Sequence, residues 1–355
     1  MLKEQENKKI HIQFLRILSM FLVLFNHTET KGFTLYTLEQ GTILHWIYLL
    51  FAIFVKIAVP IFFMISGALL LPKEESIKEL FQKRVLRIVI ALIGCHFVHY
   101  IYFLGRKITL FSFSHFFERV YTGKGVLALW FLYAYLAFLI ILPFLRKLIK
   151  SMKEKEYHYM IILFLIMQII YVVEYCLWKG EMSYNESFSL FVTSTIVFYP
   201  ILGYYIENCQ IKTTDVQRRI KRLVCFSIIA FIITSLLTQY RCYIIGEWQE
   251  NSSQKFFECF IFVPAATVYL ASKHFFETHS VHKVIKQGIE IAGTCSFGVY
   301  LFEYIYRVTT EKIFYYLSSF LPVLVACLLW IFCACILGII ITYILKHIPI
   351  VKKII

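Results

Sequence analysis

The sequence predicts an all-α, polytopic membrane protein of about ten transmembrane helices, with both termini in the cytoplasm. Of its 355 residues, 59% are hydrophobic and only 16% are charged, against about 25% charged residues in soluble domains. Apolar runs of about 20 residues recur along the chain, the length needed to cross a hydrocarbon core of roughly 30 Å. The connecting segments are too short for a separate soluble domain. We therefore expect one membrane-embedded domain over residues 1–355, without a globular catalytic domain, nucleotide-binding cassette or ectodomain.

Each predicted span is an apolar run bounded by polar or charged residues. The second span is predicted to be a bent or two-part helix, because it is long, holds Lys56 at its middle and has Pro60 just after it. Proline is tolerated in membrane helices when neighbouring groups satisfy the freed carbonyl. The ten predicted spans are 12–30, 43–71, 86–104, 125–145, 158–178, 188–206, 223–240, 256–272, 291–309 and 321–345.

The distribution of Lys and Arg sets the predicted orientation. With the N terminus inside, the six inner segments hold 25 of the 36 Lys and Arg residues and the five outer segments hold 9. Basic loops mark the cytoplasmic side of a membrane protein. This bias accounts for the net charge of +14, so the sequence predicts a bilayer partner and no nucleic acid. The ten Cys residues lie mostly in apolar runs without a CxxC pair, which predicts buried small hydrophobes and no metal site.

The first span carries two ionisable residues on one helical face. Arg16 and His27 are eleven residues apart, which is 20° beyond three full turns and a rise of about 16 Å. Ionisable side chains at membrane depth suggest function. The alternative is that Arg16 extends to the lipid headgroups and His27 hydrogen-bonds a neighbouring helix.

A second basic pair precedes the third span. Arg84 and Arg87 are three residues apart and share a helical face. The planar fork of Arg suits phosphate groups. Ordinary anchoring of a cytoplasmic loop predicts the same two residues.

The ninth span contains a polar stripe. Tyr300, Glu303 and Arg307 follow helical spacing on one predicted continuous helix, with Glu303 beyond mid-membrane. A buried carboxylate there needs a partner. Arg307 is one turn away on the same helix, whereas a functional interpretation places Glu303 beside His27, where it would tune the basicity of the imidazole.

Six segments taken together resemble a known family in their order and spacing. They are LRILSMFLVLFNH (15–27), VPIFFMISGALLL (59–71), FQKRVLRI (81–88), LWFLYAYLAFLIILP (129–143), FYPILGYYI (198–206) and SFGVYLF (296–302). The chain resembles membrane acyltransferase family 3, bacterial integral-membrane O-acyltransferases that act on cell-surface glycans. The resemblance implies a ten-helix bundle and a donor, acetyl-CoA or a related acyl-CoA, that enters from the cytoplasm as a co-substrate, with no bound cofactor.

The resemblance also implies roles for particular residues. Arg16, Arg84 and Arg87 match the family's arginines, thought to hold the CoA phosphates or their surroundings, and His27 matches its essential first-span histidine. The chain departs from the family at Glu303, where the ninth span often has a second histidine. A carboxylate orients a hydroxyl or polarises an imidazole, but it does not replace every function of that histidine.

The predicted function is transfer of an acyl group, most simply acetyl, to a hydroxyl of a cell-envelope or exported glycan, such as an exopolysaccharide or a lipid-linked sugar, at the bacterial plasma membrane. His27 is expected to act as general base or to carry the acyl group briefly, with Glu303 orienting it. The substrate cavity is expected to include Lys56, Ser66, Trp130 and Tyr300, although Trp130 equally fits an interfacial aromatic belt. The alternatives are a polysaccharide exporter or flippase, or a proton-coupled transporter of small molecules that uses Glu303 and His27.

Overall fold

The computed structural model describes residues 10–38, 40–109, 111–123, 126–178, 188–208, 213–248, 254–352 and 354. Throughout these ranges the regular secondary structure is helical and includes no strand. The helices are α1 Ile10–Asn26, α2 Ile43–Val55, α3 Ala58–Leu70, α4 Ile77–Leu80, α5 Leu86–Gly105, α6 Phe113–Thr122, α7 Trp130–Ser151, α8 Glu154–Trp178, α9 Thr195–Asn208, α10 Thr213–Ile245, α11 Phe262–Thr278, α12 Lys283–Leu301, α13 Glu303–Ser318, α14 Val323–Leu345 and α15 Pro349–Lys352. A five-residue π-helix, Phe81–Val85, joins α4 to α5.

Six helical stretches of the described chain are long and apolar enough to cross a membrane, which makes the chain a multi-pass membrane protein. The other four predicted spans fall on helices that are shorter, interrupted or more polar, namely α1, α9, α11 and the α12–α13 pair. The count of ten spans and the orientation of the termini therefore stay predictions. The six stretches are Ile43–Leu70, Ile77–Gly105, Trp130–Ser151, Glu154–Leu177, Asp215–Ile245 and Val323–Leu345.

The second predicted span is a two-part helix, as the sequence indicates. Helix α2 ends at Val55, Lys56 and Ile57 form a turn, and α3 begins at Ala58. Pro60 lies in the first turn of α3, where its missing N–H leaves no helical hydrogen bond unmade. The interruption places the Lys56 side chain between two helical segments.

The ninth predicted span is also interrupted, and here the expectation of one continuous helix is wrong. Phe302, with φ −118° and ψ 20°, leaves the helical conformation, and its N–H donates to the carbonyl of Val299 at 3.3 Å. Tyr300 therefore lies in the last turn of one helix, whereas Glu303 begins the next. A carboxylate in the first turn of a helix is stabilised by the helix dipole and the free N–H groups there.

Helix α1 lies at the centre of the packing. It contacts α2, α3, α11, α12 and α14. Its apolar side chains, among them Leu15, Leu24 and Phe25, are almost fully buried. The polar residues of α1 are consequently fixed against several other helices, which is what a precise site requires.

Helices α3 and α9 approach each other closely through glycines. A Cβ added at Gly67 would overlap the backbone carbonyl of Pro200, and one added at Gly203 would overlap the backbone of Met64. Small residues permit such backbone contact between membrane helices. This contact fixes α3, which lines the cavities described below.

We predict that Gly67→Ala destabilises the protein by about 1–3 kcal/mol, because the backbone of α9 must move to accept the methyl group. Gly94→Ala is the matched control, since Gly94 is also helical but has nothing within 4 Å of an added Cβ. Thermal unfolding of both purified variants in detergent measures the effect. Equal melting temperatures for the two variants would contradict the close packing of α3 on α9.

Candidate functional site

One cavity, the basic cavity, is defined by its positive charge. It has a volume of about 420 Å³ and lies among α1, α3, the π-helix, α5, α7 and α12. None of its lining residues, all within the described part of the chain, is a carboxylate, whereas six are cationic. The six are Arg16, Lys73, Lys83, Arg84, Arg87 and Lys346. Such a charge balance suits a polyanionic ligand.

Three arginines line the basic cavity together with Tyr135. Arg16, Arg84 and Arg87 are all close enough to the Tyr135 hydroxyl to interact with it electrostatically. Arg16 donates a hydrogen bond to Gln13 Oε1 at 3.2 Å, and Arg87 donates to the carbonyl oxygen of Ile354 at 3.0 Å. The structure therefore brings together the three arginines that the sequence singles out.

Arg84 differs from the other two arginines, because a carboxylate occupies part of its fork. Its Nε donates to Glu75 Oε2 at 2.9 Å, and its Nη2 donates to Glu75 Oε1 at 2.5 Å. Nη1 is thus the part of the fork not used by Glu75. The expected role of Arg84 in binding phosphate stays a prediction, with Nε and Nη2 engaged by Glu75.

Arg146 is a further member of this cluster that the sequence reasoning missed. Its Nη2 donates to Glu75 Oε2 at 2.9 Å, and its Nε donates to the Leu70 carbonyl at 3.1 Å. Arg146 is buried despite its charge. In the sequence Arg146 is one of five basic residues in a predicted inner segment, and such residues ordinarily hold a loop on the cytoplasmic side of the membrane.

Glu75 itself lies in the loop between α3 and α4. Hydrogen bonds from Arg84 lower its pKa to about 2, and Arg146 adds a second donor, while partial burial acts in the opposite direction. Glu75 is therefore ionised at neutral pH and holds both guanidinium groups at the edge of the basic cavity.

A second cavity, the histidine cavity, has a volume of about 600 Å³. Three of the predicted cavity residues, Lys56, Trp130 and Tyr300, line it together with His27. Ser66 does not: it lines the basic cavity, and its hydroxyl donates to the Phe62 carbonyl at 2.8 Å.

The predicted pair of His27 and Glu303 comes together at the edge of this cavity, which His27 lines and Glu303 does not. His27 Nδ1 lies 3.1 Å from Glu303 Oε1, an ion-pairing distance, although the ring N–H is not aligned as a hydrogen bond. Arg307 Nε donates to the other oxygen of Glu303 at 2.6 Å. Both partners proposed for Glu303 are therefore present at once. Because Nδ1 faces Glu303, Nε2 is the ring nitrogen left for a ligand.

Arg16 and His27 end up in different cavities. Helix α1 ends at Asn26, and the His27 N–H closes its last turn on the Leu24 carbonyl at 3.3 Å. Arg16 and His27, eleven positions apart in the sequence, therefore line different cavities. Three aromatic residues, Phe62, Phe131 and Tyr300, line both cavities and form the wall between them.

Other polar groups of the histidine cavity were not predicted. Asn26 Oδ1 is buried and has no hydrogen-bond partner among the described residues, which leaves it available to a ligand in the cavity that Asn26 lines. Glu258 and Gln168 also line this cavity. The sequence could have indicated Asn26 as a site residue, since it directly precedes His27 in the first span. Lys56 donates to Gln254 Oε1 at 3.3 Å and lies 4.8 Å from the centre of the Phe33 ring.

Comparison with known proteins gives one match. A family model described as an acyltransferase domain matches residues 10–347, which is nearly the whole chain. No curated protein and no solved structure matches the chain.

We predict that Glu75→Gln lowers the free energy of unfolding at pH 7 by on the order of 2 kcal/mol. The pKa of Glu75 is depressed in the folded protein, so its stabilisation is full above its ordinary value of 4.5 and is lost as the pH falls towards 2. Glu74→Gln is the control, because Glu74 pairs with Lys150 at an exposed position. Unfolding of the three proteins between pH 7 and pH 3 measures this. An identical pH dependence in wild type and Glu75→Gln would refute it.

Proposed function

Because the chain belongs to the membrane acyltransferase 3 family, we propose that this acyltransferase moves an acyl group, most simply acetyl, from a CoA thioester to a glycan hydroxyl. The donor occupies the basic cavity and the acceptor occupies the histidine cavity. The observation that carries the proposal is that α1 presents Arg16 to a cavity of six cations, while His27, directly after the end of α1, lines the cavity beyond the shared wall.

The donor is a polyanion, and the basic cavity provides the charges to bind it. Arg16 and Arg87 have no carboxylate partner among the described residues, so their guanidinium groups are available to phosphate. Arg84 contributes through the part of its fork that Glu75 does not use. In the orientation that the loop charges predict, this cavity opens to the cytoplasm of a bacterial cell, where acyl-CoA is made.

The chemistry proceeds at His27. Nε2 accepts the proton of the acceptor hydroxyl while the hydroxyl oxygen attacks the carbonyl carbon of the thioester. The carbon–sulfur bond then breaks, and the departing thiolate takes the proton back from the imidazolium. The products are an O-acyl ester and free CoA, and His27 returns to its neutral state. The step needs no acyl-histidine, since the hydroxyl attacks the thioester directly.

Glu303 supports this step through charge. Its carboxylate, 3.1 Å from Nδ1, stabilises the imidazolium that forms when Nε2 accepts the proton. Arg307 holds the same carboxylate in place from its other oxygen. The acceptor is a sugar of the cell envelope or of an exported polysaccharide, which the aromatic and polar lining of the histidine cavity suits.

The test supplies labelled acetyl-CoA and a polysaccharide or lipid-linked sugar acceptor to purified protein in lipid vesicles. We expect the label in ester linkage on the acceptor. Movement of the acceptor across the vesicle membrane without acyl transfer would instead support an exporter.

We predict that His27→Ala lowers the transfer rate by about 10²–10⁴-fold, the usual contribution of a general base. Donor binding should persist, because Arg16 lies about 16 Å away along the chain of α1 and Arg84 and Arg87 line the other cavity. His279→Ala is the control, since His279 is exposed and lines neither cavity. Near-normal transfer by His27→Ala would rule out the proposed mechanism.

Glu303→Gln should lower the transfer rate less than His27→Ala does, and it should move the acidic edge of the pH–rate profile to lower pH. The reason is that the imidazolium loses its anionic neighbour while the shape of the side chain is kept. Rates measured from pH 5 to pH 9 test this. An unmoved profile would show that Glu303 acts only as the partner of Arg307.

Arg87→Lys should weaken acyl-CoA binding about tenfold, because an ammonium group does not reproduce the bidentate contact of a guanidinium with phosphate. Arg16→Lys should act in the same direction. Arg218→Lys is the control, since Arg218 is exposed and pairs with Asp215 outside the cavity. Equilibrium binding of a non-hydrolysable acyl-CoA analogue measures the change. Wild-type affinity in both cavity variants would leave these arginines as membrane anchors only.

A further inference from the structure

We propose that a third cavity, beside the basic cavity, binds the 3′-phosphate and the adenine ring of the CoA donor. This terminal cavity lies where α14 ends, between α12 and α15, and has a volume of about 470 Å³. The inference rests on the proposed function and extends the donor site to the C-terminal part of the chain. The cavity is lined by Ile291, Thr294, Tyr343, Lys346, His347, Pro349 and Lys352.

The donor is too large for the basic cavity alone. Cavities of about 300–1,000 Å³ hold drug-sized ligands, and the basic cavity, at about 420 Å³, is near the lower end of that range. An acyl-CoA consists of a pantetheine arm, a pyrophosphate and a ribose that carries adenine and a third phosphate. Part of the donor must therefore lie outside the basic cavity, where further positive charge and an aromatic surface would bind it.

The terminal cavity adjoins the basic cavity directly. Thr294 and Lys346 line both cavities, and Lys346 Nζ donates to the Thr294 carbonyl. Arg16 and Arg87 are close enough to Lys346 to interact with it electrostatically. Arg87 Nε also donates to the carbonyl oxygen of Ile354 at 3.0 Å, which ties the C-terminal segment to the basic cavity. The two cavities are therefore neighbouring parts of one basic region.

Residues of both cavities are exposed, so a ligand can occupy the two by lying along the surface. Lys83 and Arg87 of the basic cavity are exposed, as are Tyr343 and Lys352 of the terminal cavity, while Lys346 at the boundary is half-buried. In CoA the 5′-pyrophosphate and the 3′-phosphate are attached to the same ribose. A single cation between two phosphate sites, as Lys346 is here, suits that arrangement.

The charge of the terminal cavity suits a phosphate group. Lys346 and Lys352 are cationic, and none of the lining residues, all of which the structure describes, is a carboxylate. Ammonium groups bind phosphate as point charges. We therefore place the 3′-phosphate beside these two lysines, with the pyrophosphate among the arginines of the basic cavity.

The aromatic side of the terminal cavity suits the adenine ring. Tyr343 is 47% exposed, and its ring lies 5.1 Å from that of His347 between centres, at an interplanar angle of 72°. Packing at this angle covers at most one face of the Tyr343 ring, which leaves a face for a base to stack on. His347 Nδ1 donates to the Tyr343 carbonyl at 3.0 Å, so Nε2 is the ring nitrogen left for a ligand.

The experiment measures equilibrium binding of CoA, 3′-dephospho-CoA and 4′-phosphopantetheine to the full-length protein in phosphatidylcholine nanodiscs. We expect wild type to bind CoA at least tenfold more tightly than 3′-dephospho-CoA, the size of effect that one charge-assisted contact gives. Lys352→Ala should reduce this ratio to about threefold or less and leave the affinity for 3′-dephospho-CoA within about twofold of wild type.

Tyr343→Ala should weaken the binding of CoA and of 3′-dephospho-CoA alike, by about fivefold or more, because both carry adenine. It should leave 4′-phosphopantetheine, which lacks adenosine, within about twofold of wild type. Because the shortest ligand is measured on the same preparation, a misfolded variant is distinguished from one that has lost only the adenine site.

Lys283→Ala is the matched control, since Lys283 is exposed at the start of α12 and lines none of the three cavities. Equal affinity of wild type for CoA and 3′-dephospho-CoA would overturn the inference, as would equal ratios in Lys352→Ala and Lys283→Ala.

Lysines at a membrane surface also meet lipid phosphates, so both Lys variants are compared in nanodiscs that contain phosphatidylglycerol. A Lys352→Ala protein that keeps the wild-type ratio but retains less phosphatidylglycerol would assign the cavity to lipid phosphate and overturn the inference. Failure of wild type to bind any of the three CoA-derived ligands would instead refute the proposed function.

Discussion

The buried carboxylate of Glu303 is the constraint on which the site depends. It is only 2% exposed, and a buried charge is stable only when it is paired. One of its oxygens meets His27, directly after the end of α1, and the other meets Arg307 from its own helix. The pairing fixes the position of α13 against the end of α1. It therefore fixes the geometry of the imidazole that the proposed reaction uses.

Two interrupted helices bring charged groups to the cavities. The turn after Val55 places Lys56 at the histidine cavity, and the break at Phe302 places Glu303 at a helix N terminus beside it. Within the bilayer, non-helical backbone is tolerated where it is surrounded by protein or lines a cavity. Both interruptions fit this rule. The helix dipole adds to the stabilisation of Glu303, which a continuous helix would not provide.

The sequence predicts the parts of the site that depend on local spacing. The two-part second span follows from Lys56 and Pro60, whereas the shared helical face of Arg16 and His27 stays a prediction. The break at Phe302 was missed because SFGVYLFEY contains no proline and reads as a continuous helix. The contacts of Glu75 with Arg146 join residues 71 positions apart, and the periodicity of one helix does not show what packs against it. The division of the site into two cavities was not predicted either, since Phe131, which lines both, comes from a helix that is distant in the sequence.

The wall between the cavities bears on the choice between an acyltransferase and an exporter. An exporter must pass a whole sugar chain between its two sides, and hexose rings are wider than the spacing of packed aromatic rings. A transferase needs only an acyl carbonyl to meet a hydroxyl, so its donor and acceptor stay on opposite sides. The two cavities of this protein share a wall of contacting aromatic rings. They also differ in charge, because six cations line the basic cavity, whereas Lys56 and the carboxylate Glu258 line the histidine cavity. Separate cavities joined at a narrow, apolar boundary favour the exchange of a small group over the passage of a polymer.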